Sequence, residues 1–263
     1  MIFTAFDKKM ALVVVARLLL GAVLLVLSAA YMPSAAHAAT ITWGGGGATK
    51  NWSDCANWVG GSCPGSGDSV VFNNTSTKDS IIDSSAPSTI YGFSINTGYT
   101  GTIVQQRDMT INTSFTQAAG TFDQGTSGLT MWSGSLIVSG GVVNAGAGTT
   151  AFMNGQSFNS TGSTYNASST RVMQFPDIYS GSVFTCTGTF PGTVSVTGNG
   201  GLTVGAGCTI NTADTTGTAG GGTHPVFAVN GTVHFGTTVV LGGLTINNGG
   251  TVTTSGTTHV VLW

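Results

Sequence analysis

Leu129-Thr130-Met131-Trp132, Ser135-Leu136-Ile137-Val138 and Gly141-Val142-Val143 decide the fold. Each piece alternates apolar and polar side chains, the period of a half-buried strand, and each is cut off by Ser or Gly. The same three beats come earlier as Met109-Thr110-Ile111-Asn112, Ser114-Phe115-Thr116-Gln117 and Gly120-Thr121-Phe122. They return as Leu202-Thr203-Val204-Gly205 with Cys208-Thr209-Ile210-Asn211, and as Leu244-Thr245-Ile246-Asn247 with Gly250-Thr251-Val252-Thr253. Met109 and Leu129 start 20 residues apart, and Leu202 and Leu244 start 42 apart, twice 21. Val226-Phe227-Ala228-Val229-Asn230-Gly231 fits between the latter two as an intervening rung.

A period near 20 with three short strands is what one coil of a β-solenoid needs, because a coil buries its apolar face only against neighbouring coils. The expected fold is therefore all-β, a parallel β-solenoid over residues 97–263, with about eight coils at this period. A β-sandwich is the alternative, since it too yields many short strands. Residues 155–191 follow the period least well and carry Arg171, Asp177 and Tyr179.

Composition agrees. The 263 residues include 41 Gly, 42 Thr and 26 Ser, no Glu, and only 6% charged residues. Thr, Val and Ile favour pleated strands over helices. Residues 1–38 read as a signal peptide: Lys8, Lys9 and Arg17 precede the apolar Leu18–Ala30 stretch, and Ala36-His37-Ala38 supplies a small-x-small cleavage pattern. An uncleaved anchor would have to hold Arg17 within the membrane, which is costly. No second apolar span follows, so no membrane span is expected once the leader is removed. From Ala39 on, Lys50, Lys78, Arg107 and Arg171 face eight aspartates, a formal net charge of −4. That balance argues against nucleic acid as a partner, since phosphate neutralisation needs clustered Lys and Arg.

An exported chain meets an oxidising compartment, where the even set Cys55, Cys63, Cys186 and Cys208 favours disulfides. Three pairings are open. Proximity favours Cys55–Cys63 and Cys186–Cys208, the second spaced by about one coil. No Cys-x-x-Cys pair occurs, and His224, His234 and His259 lack ligand spacing, so no metal is expected.

Residues 39–96 differ from the rest and are expected to form an N-terminal cap module. They hold Trp43, Trp52 and Trp58, one cysteine pair, and Asp54, Asp68, Asp79 and Asp83. Trp43-Gly44-Gly45-Gly46-Gly47, Asn51-Trp52-Ser53-Asp54, Asn57-Trp58 and Cys63-Pro64-Gly65-Ser66-Gly67-Asp68-Ser69-Val70-Val71-Phe72 form a string. It resembles the tryptophan-rich opening of bacterial secreted β-strand-repeat proteins, which include autotransporter-like passengers and large surface adhesins. The resemblance covers about thirty residues. It implies a right-handed parallel β-helix shown on or shed from the cell. Cys55 and Cys63 depart from that family, which generally avoids cysteine, and no β-barrel translocator occurs within the 263 residues.

Chemistry is sparse. Glycan cleavage usually needs two carboxylates. Here Asp68, Asp79 and Asp214 sit singly in turn-like contexts suited to Asx turns. Arg107–Asp108 and Arg171 with Asp177 are the basic–acidic neighbourhoods of the repeats. No nucleophile elbow, calcium nonapeptide or phosphate loop is present, and Gly220-Gly221-Gly222 is a turn cluster. Trp43, Trp52, Trp58 and Trp132 suit either sugar stacking or cap packing. Thr-x-Thr occurs only as isolated triplets, Thr251/Thr253 among them, which argues against an ice-binding array. The expectation is a non-enzymatic exported protein with no cofactor, a structural or adhesin component of the cell surface or extracellular space. Its expected partners are surface glycans or further copies of itself in a filament. A carbohydrate-active β-helix enzyme or a glycan-binding module is the alternative.

Overall fold

The computed structural model describes residues 39–153, 157–161, 163–167, 172–175, 182–196, 201–212, 226–236, 238–254 and 259–262. The leader, with His37, lies outside them, as do Arg171, Asp177, Tyr179, Asp214, residues 220–222 and His224. Residues from Ala38 onward form one compact unit.

That unit is a β-solenoid of about seven turns built from parallel strands, which excludes the sandwich. The first sheet has ten strands, among them Thr40–Thr42, Ser69–Phe72, Gly92–Ile95, Phe115–Gln117, Leu136–Val138 and Phe158–Ser160. The second has nine, including Thr89–Ile90, Met109–Ile111, Leu129–Met131 and Thr149–Phe152. The third has five, from Ser80–Ile82 to Thr164–Ala167, and Thr238–Leu241 pairs with His259–Leu262 apart from these. The 39–96 segment supplies strands to the same sheets. Bonds between successive coils join residues 20 apart (Asp108–Gly128), 21 apart (Ser114–Ser135), 22 apart (Ser94–Thr116) and 23 apart (Ser84–Arg107). The step from Ser157 to Val183 widens to 26, in the stretch whose period is least regular in sequence.

The core is a set of ladders running from coil to coil. Val70, Phe93, Phe115, Leu136, Phe158 and Phe184 are partners in register on the first sheet. None is more than 2% exposed. The Phe93–Phe115 and Phe158–Phe184 ring centroids are each 4.7 Å apart. This is the spacing of neighbouring strands, so the rings meet because their strands are in register, stacked for Phe93–Phe115 and tilted by 41° for Phe158–Phe184. Burying one such side chain contributes about 1.5–3 kcal/mol.

Corners raise a second problem, since chain that turns leaves carbonyls without ladder partners. Buried glutamines meet some of it. Gln105 Nε2 donates to Arg107 O (2.8 Å) and Gly128 O (2.7 Å). Gln117 Nε2 donates to Gly120 O (3.2 Å) and Val142 O (3.0 Å). Gln124 Nε2 donates to Ser127 O (3.0 Å) and Thr149 O (3.4 Å). Each amide thus ties its own coil to the next. Gly141, at φ 76°, completes one corner, where a Cβ would come 2.4 Å from Gly120 O.

Both disulfides form, Cys55–Cys63 and Cys186–Cys208. The second joins the first-sheet strand Ser182–Cys186 to the second-sheet strand Cys208–Thr212 of the following coil. It stands where the chain passes from first to second sheet with no third-sheet strand between them among the described residues.

Candidate functional site

Of the four candidate tryptophans, three face inward. Trp43 and Trp52 are fully buried and Trp58 is 2% exposed. Their rings surround Phe72 at centroid distances of 5.5, 6.0 and 6.1 Å. The indole N–H of Trp43 donates to Lys78 O, that of Trp52 to Ser80 Oγ, and that of Trp58 to Trp52 O. These faces pack against the end of the apolar core and are closed to a sugar. Trp132 is the exception, 51% exposed on the side of the solenoid.

The chain around the Trp cluster folds into a loop held largely by side chains. Gly44 and Gly45 N–H donate to Asn57 O, and Asn57 Nδ2 donates to Thr49 O and Asn51 O. Gly47 N–H donates to Asn57 Oδ1, and a Cβ at Gly47 would lie 2.5 Å from Asp54 Oδ2. Asp54 caps the 3-10 turn Cys55–Asn57, whose first residue is locked to Cys63.

Between this loop and residues 77–79 lies a cleft of about 420 Å³ bordered by Trp43, Lys50, Asn57, Lys78 and Asp79. Lys50 Nζ pairs with Asp79 at 2.8 Å, and Lys78 Nζ donates to Gly45 O at 2.5 Å. The Lys50 bond, with the Thr102 N–H, holds the Asp79 carboxyl below its ordinary pKa. Burial, helped by the Asp79 charge, pushes the Tyr99 phenol well up; its O–H donates to Lys78 O. The lysines here clamp the loop.

The six described aspartates serve the main chain. Asp54 accepts from Thr49 and Ala56 N–H, Asp68 from Gly65 and Ala39, Asp79 from Thr102, and Asp83 from Ser53 and Ser85. Asp108 accepts from Gly128 N–H and Asp123 from Gly125 N–H. Burial pushes the Asp83 carboxyl up, but the Ser53 hydroxyl and the Ser53 and Ser85 N–H groups outweigh it and leave the pKa low. Arg107 and Asp108 turn to opposite coils: Arg107 Nη1 donates to Ser84 O and Ala86 O on one side, while Asp108 meets Gly128 on the other. His234 Nδ1 bonds Thr253 Oγ1 on the next coil. Among the described residues, no group of three or more His, Cys, Asp or Glu assembles that would hold a metal ion, and no helix is long and apolar enough to cross a membrane.

Sequence reading missed the corner glutamines and the cleft lysines. A signal existed for the former: Gln105, Gln117 and Gln124 all lie at or just past the end of an alternating strand, where an outward polar residue would not repeat so regularly. Lys50 and Lys78 have no such mark, because their meeting depends on how the loop folds back. Comparison with family models, with curated proteins and with solved structures returns no match for this chain.

Proposed function

We propose that this chain is a non-enzymatic, exported structural or adhesive protein that works at the cell surface or outside the cell. One observation carries the reading: the six described aspartates all accept main-chain N–H groups, which makes them parts of the scaffold. The sides of the solenoid are left as columns of hydroxyl, amide and aromatic groups, suited to hydrogen bonding and stacking. Two disulfides fit an oxidising compartment, and the Trp-rich opening resembles secreted β-strand-repeat adhesins.

Lateral adhesion fits better than end-to-end filaments. The outer edge of Thr40–Thr42 is already engaged, with Val59 N–H donating to Thr42 O at 2.9 Å and an antiparallel bridge joining Trp43 and Trp58. A sealed edge does not template another chain. The test is to express the full chain in a bacterial host, shave intact cells with protease, and alkylate free thiols before lysis. Protein found outside the cell with all four cysteines protected supports the reading; protein held in the cytoplasm with free thiols overturns it.

A further inference from the structure

Register brings together a surface that the sequence leaves scattered. Ile90, Ile111, Met131 and Phe152 are successive inward partners on the second sheet. The residue after each extends the ladder: Asn112 N–H donates to Ile90 O at 3.0 Å, Trp132 N–H to Ile111 O at 2.9 Å, and Met153 N–H to Met131 O at 2.8 Å. Tyr91, Asn112, Trp132 and Met153 therefore form one column, a coil apart. Tyr91 is 46% exposed and Trp132 51%.

Two residues back along each strand, Thr89, Thr110 and Thr130 pair in register as a second column on the same outward face, ending at Ala151. The face thus reads Thr-x-Tyr, Thr-x-Asn, Thr-x-Trp on three consecutive coils. Coils repeat at about 4.8 Å and alternate residues lie about 7 Å apart, so Tyr91 and Trp132 stand about 10 Å from each other along the axis.

We propose that this face binds a neutral, extended polysaccharide lying along the solenoid axis. Tyr91 and Trp132 supply stacking surfaces for alternate sugar rings, while Asn112 and the threonine hydroxyls bond the ring hydroxyls between them. No charged residue lies in either column, so an acidic polymer gains nothing over a neutral one. Amphipathic rings beside hydrogen-bonding groups suit a ligand with apolar ring faces and polar edges. The proposal rests on the adhesive reading above and names its ligand and site.

The test is native affinity electrophoresis of the purified chain through gels holding hydroxyethylcellulose, laminarin or polygalacturonate, at low and high salt. The expected result is retardation by at least one neutral glucan, unchanged by salt, with Trp132→Ala and Tyr91→Ala each weakening it about tenfold. Both side chains are about half exposed and outside the core, so the variants should keep their fold, which circular dichroism checks. Thr110→Lys, which places a long side chain on the coil between the two rings, should also abolish retardation. Retardation by polygalacturonate alone and lost in salt, retardation indifferent to Trp132→Ala, or no retardation by either neutral glucan overturns the proposal. Protease shaving of intact cells tests the surface reading independently of these outcomes.

Discussion

Replacing Gln117 by Glu reverses the polarity of a buried corner. Gln117 is 1% exposed, and its Nε2 faces Gly120 O and Val142 O at 3.2 and 3.0 Å. Its register partners are Ile95 and Val138, both fully buried, so neither offers a cation to a carboxylate. Protonated, the introduced carboxyl still donates one O–H to a carbonyl; ionised, it sets oxygen against oxygen in a dry core. Its folded pKa is therefore raised, and the stability it contributes is full below the unfolded value of about 4.3 and falls as pH rises. A carboxyl that keeps its proton to pH 7 weakens folding by about 1.4 kcal/mol per pH unit, about 4 kcal/mol in all. That is a large share of the 5–15 kcal/mol typical of a domain. Urea unfolding of wild type and Gln117→Glu at pH 4.5, 5.8 and 7.0 should show a gap widening with pH. Gln117→Leu extends an apolar column, loses two amide bonds of about 1 kcal/mol each, and should differ from wild type by a pH-independent amount. A gap for the carboxyl variant that stays constant with pH refutes the reasoning.

Asp83 should behave oppositely. Its folded pKa is low, so the stability it contributes is full above about pH 4 and lost as the medium acidifies below that value; Asp83→Asn should flatten the acid limb of a urea-midpoint profile. Breaking Cys186–Cys208, which spans 22 residues, should lower unfolding free energy by about 3.4 kcal/mol in the chain-entropy model, against about 2.5 for the 8-residue Cys55–Cys63 loop. Denaturant melts of the paired Cys→Ser variants check the order. At Gly134 a Cβ would lie 2.0 Å from the Thr113 carbonyl carbon, whereas at Gly67 it meets nothing within 4 Å. Gly134→Ala should therefore cost more than about 3 kcal/mol or fail to fold, and Gly67→Ala should melt within about 0.5 kcal/mol of wild type.

The strands were legible because inward alternation is local. Met109 and Leu129, aligned by sequence period alone, are partners in the second sheet. The coil boundaries were less legible. Leu202 and Leu244 share a column through Phe227 as expected, but the two steps are unequal, 25 and 17 residues. Solenoid corners accept loops of different length as long as the inward residues return to their positions, so mean period survives while individual steps drift. The isolated Thr-x-Thr triplets likewise concealed a real column, Thr189, Thr209, Thr232 and Thr251, because register aligns threonines that even spacing does not. The tryptophans divided on the same principle. Trp132 follows inward Met131 and so must point outward, and Tyr91 after Ile90 carries the same signature. Trp43, two residues after Ile41 on a ladder that pairs Ile41 with buried Val70, continues that alternation inward, whereas Trp52 and Trp58 lie outside such runs, and only the folded loop decides their burial.

Charge is distributed along the stack with a consequence for recognition. Every formally charged residue among those described lies between Lys50 and Asp123. Among the described residues, the coils beyond have hydroxyls and amides in place of ions: Ser135 and Ser157 each accept through Oγ from a main-chain N–H of the following coil, while threonine columns face outward. The Tyr91–Trp132 columns, although they lie mostly within the charged stretch, carry no ion themselves, so binding there draws little on long-range attraction and leaves salt little to screen. Affinity must come from many short contacts repeated at the coil spacing, and it should grow with the length of a ligand that keeps the same repeat. A polymer meets that condition and a small solute does not, so glucan fragments shorter than the Tyr91–Trp132 span should compete poorly with the polymer in the same gels, at any ionic strength. Short fragments that compete as well as the chain would place recognition at a single point rather than along the ladder.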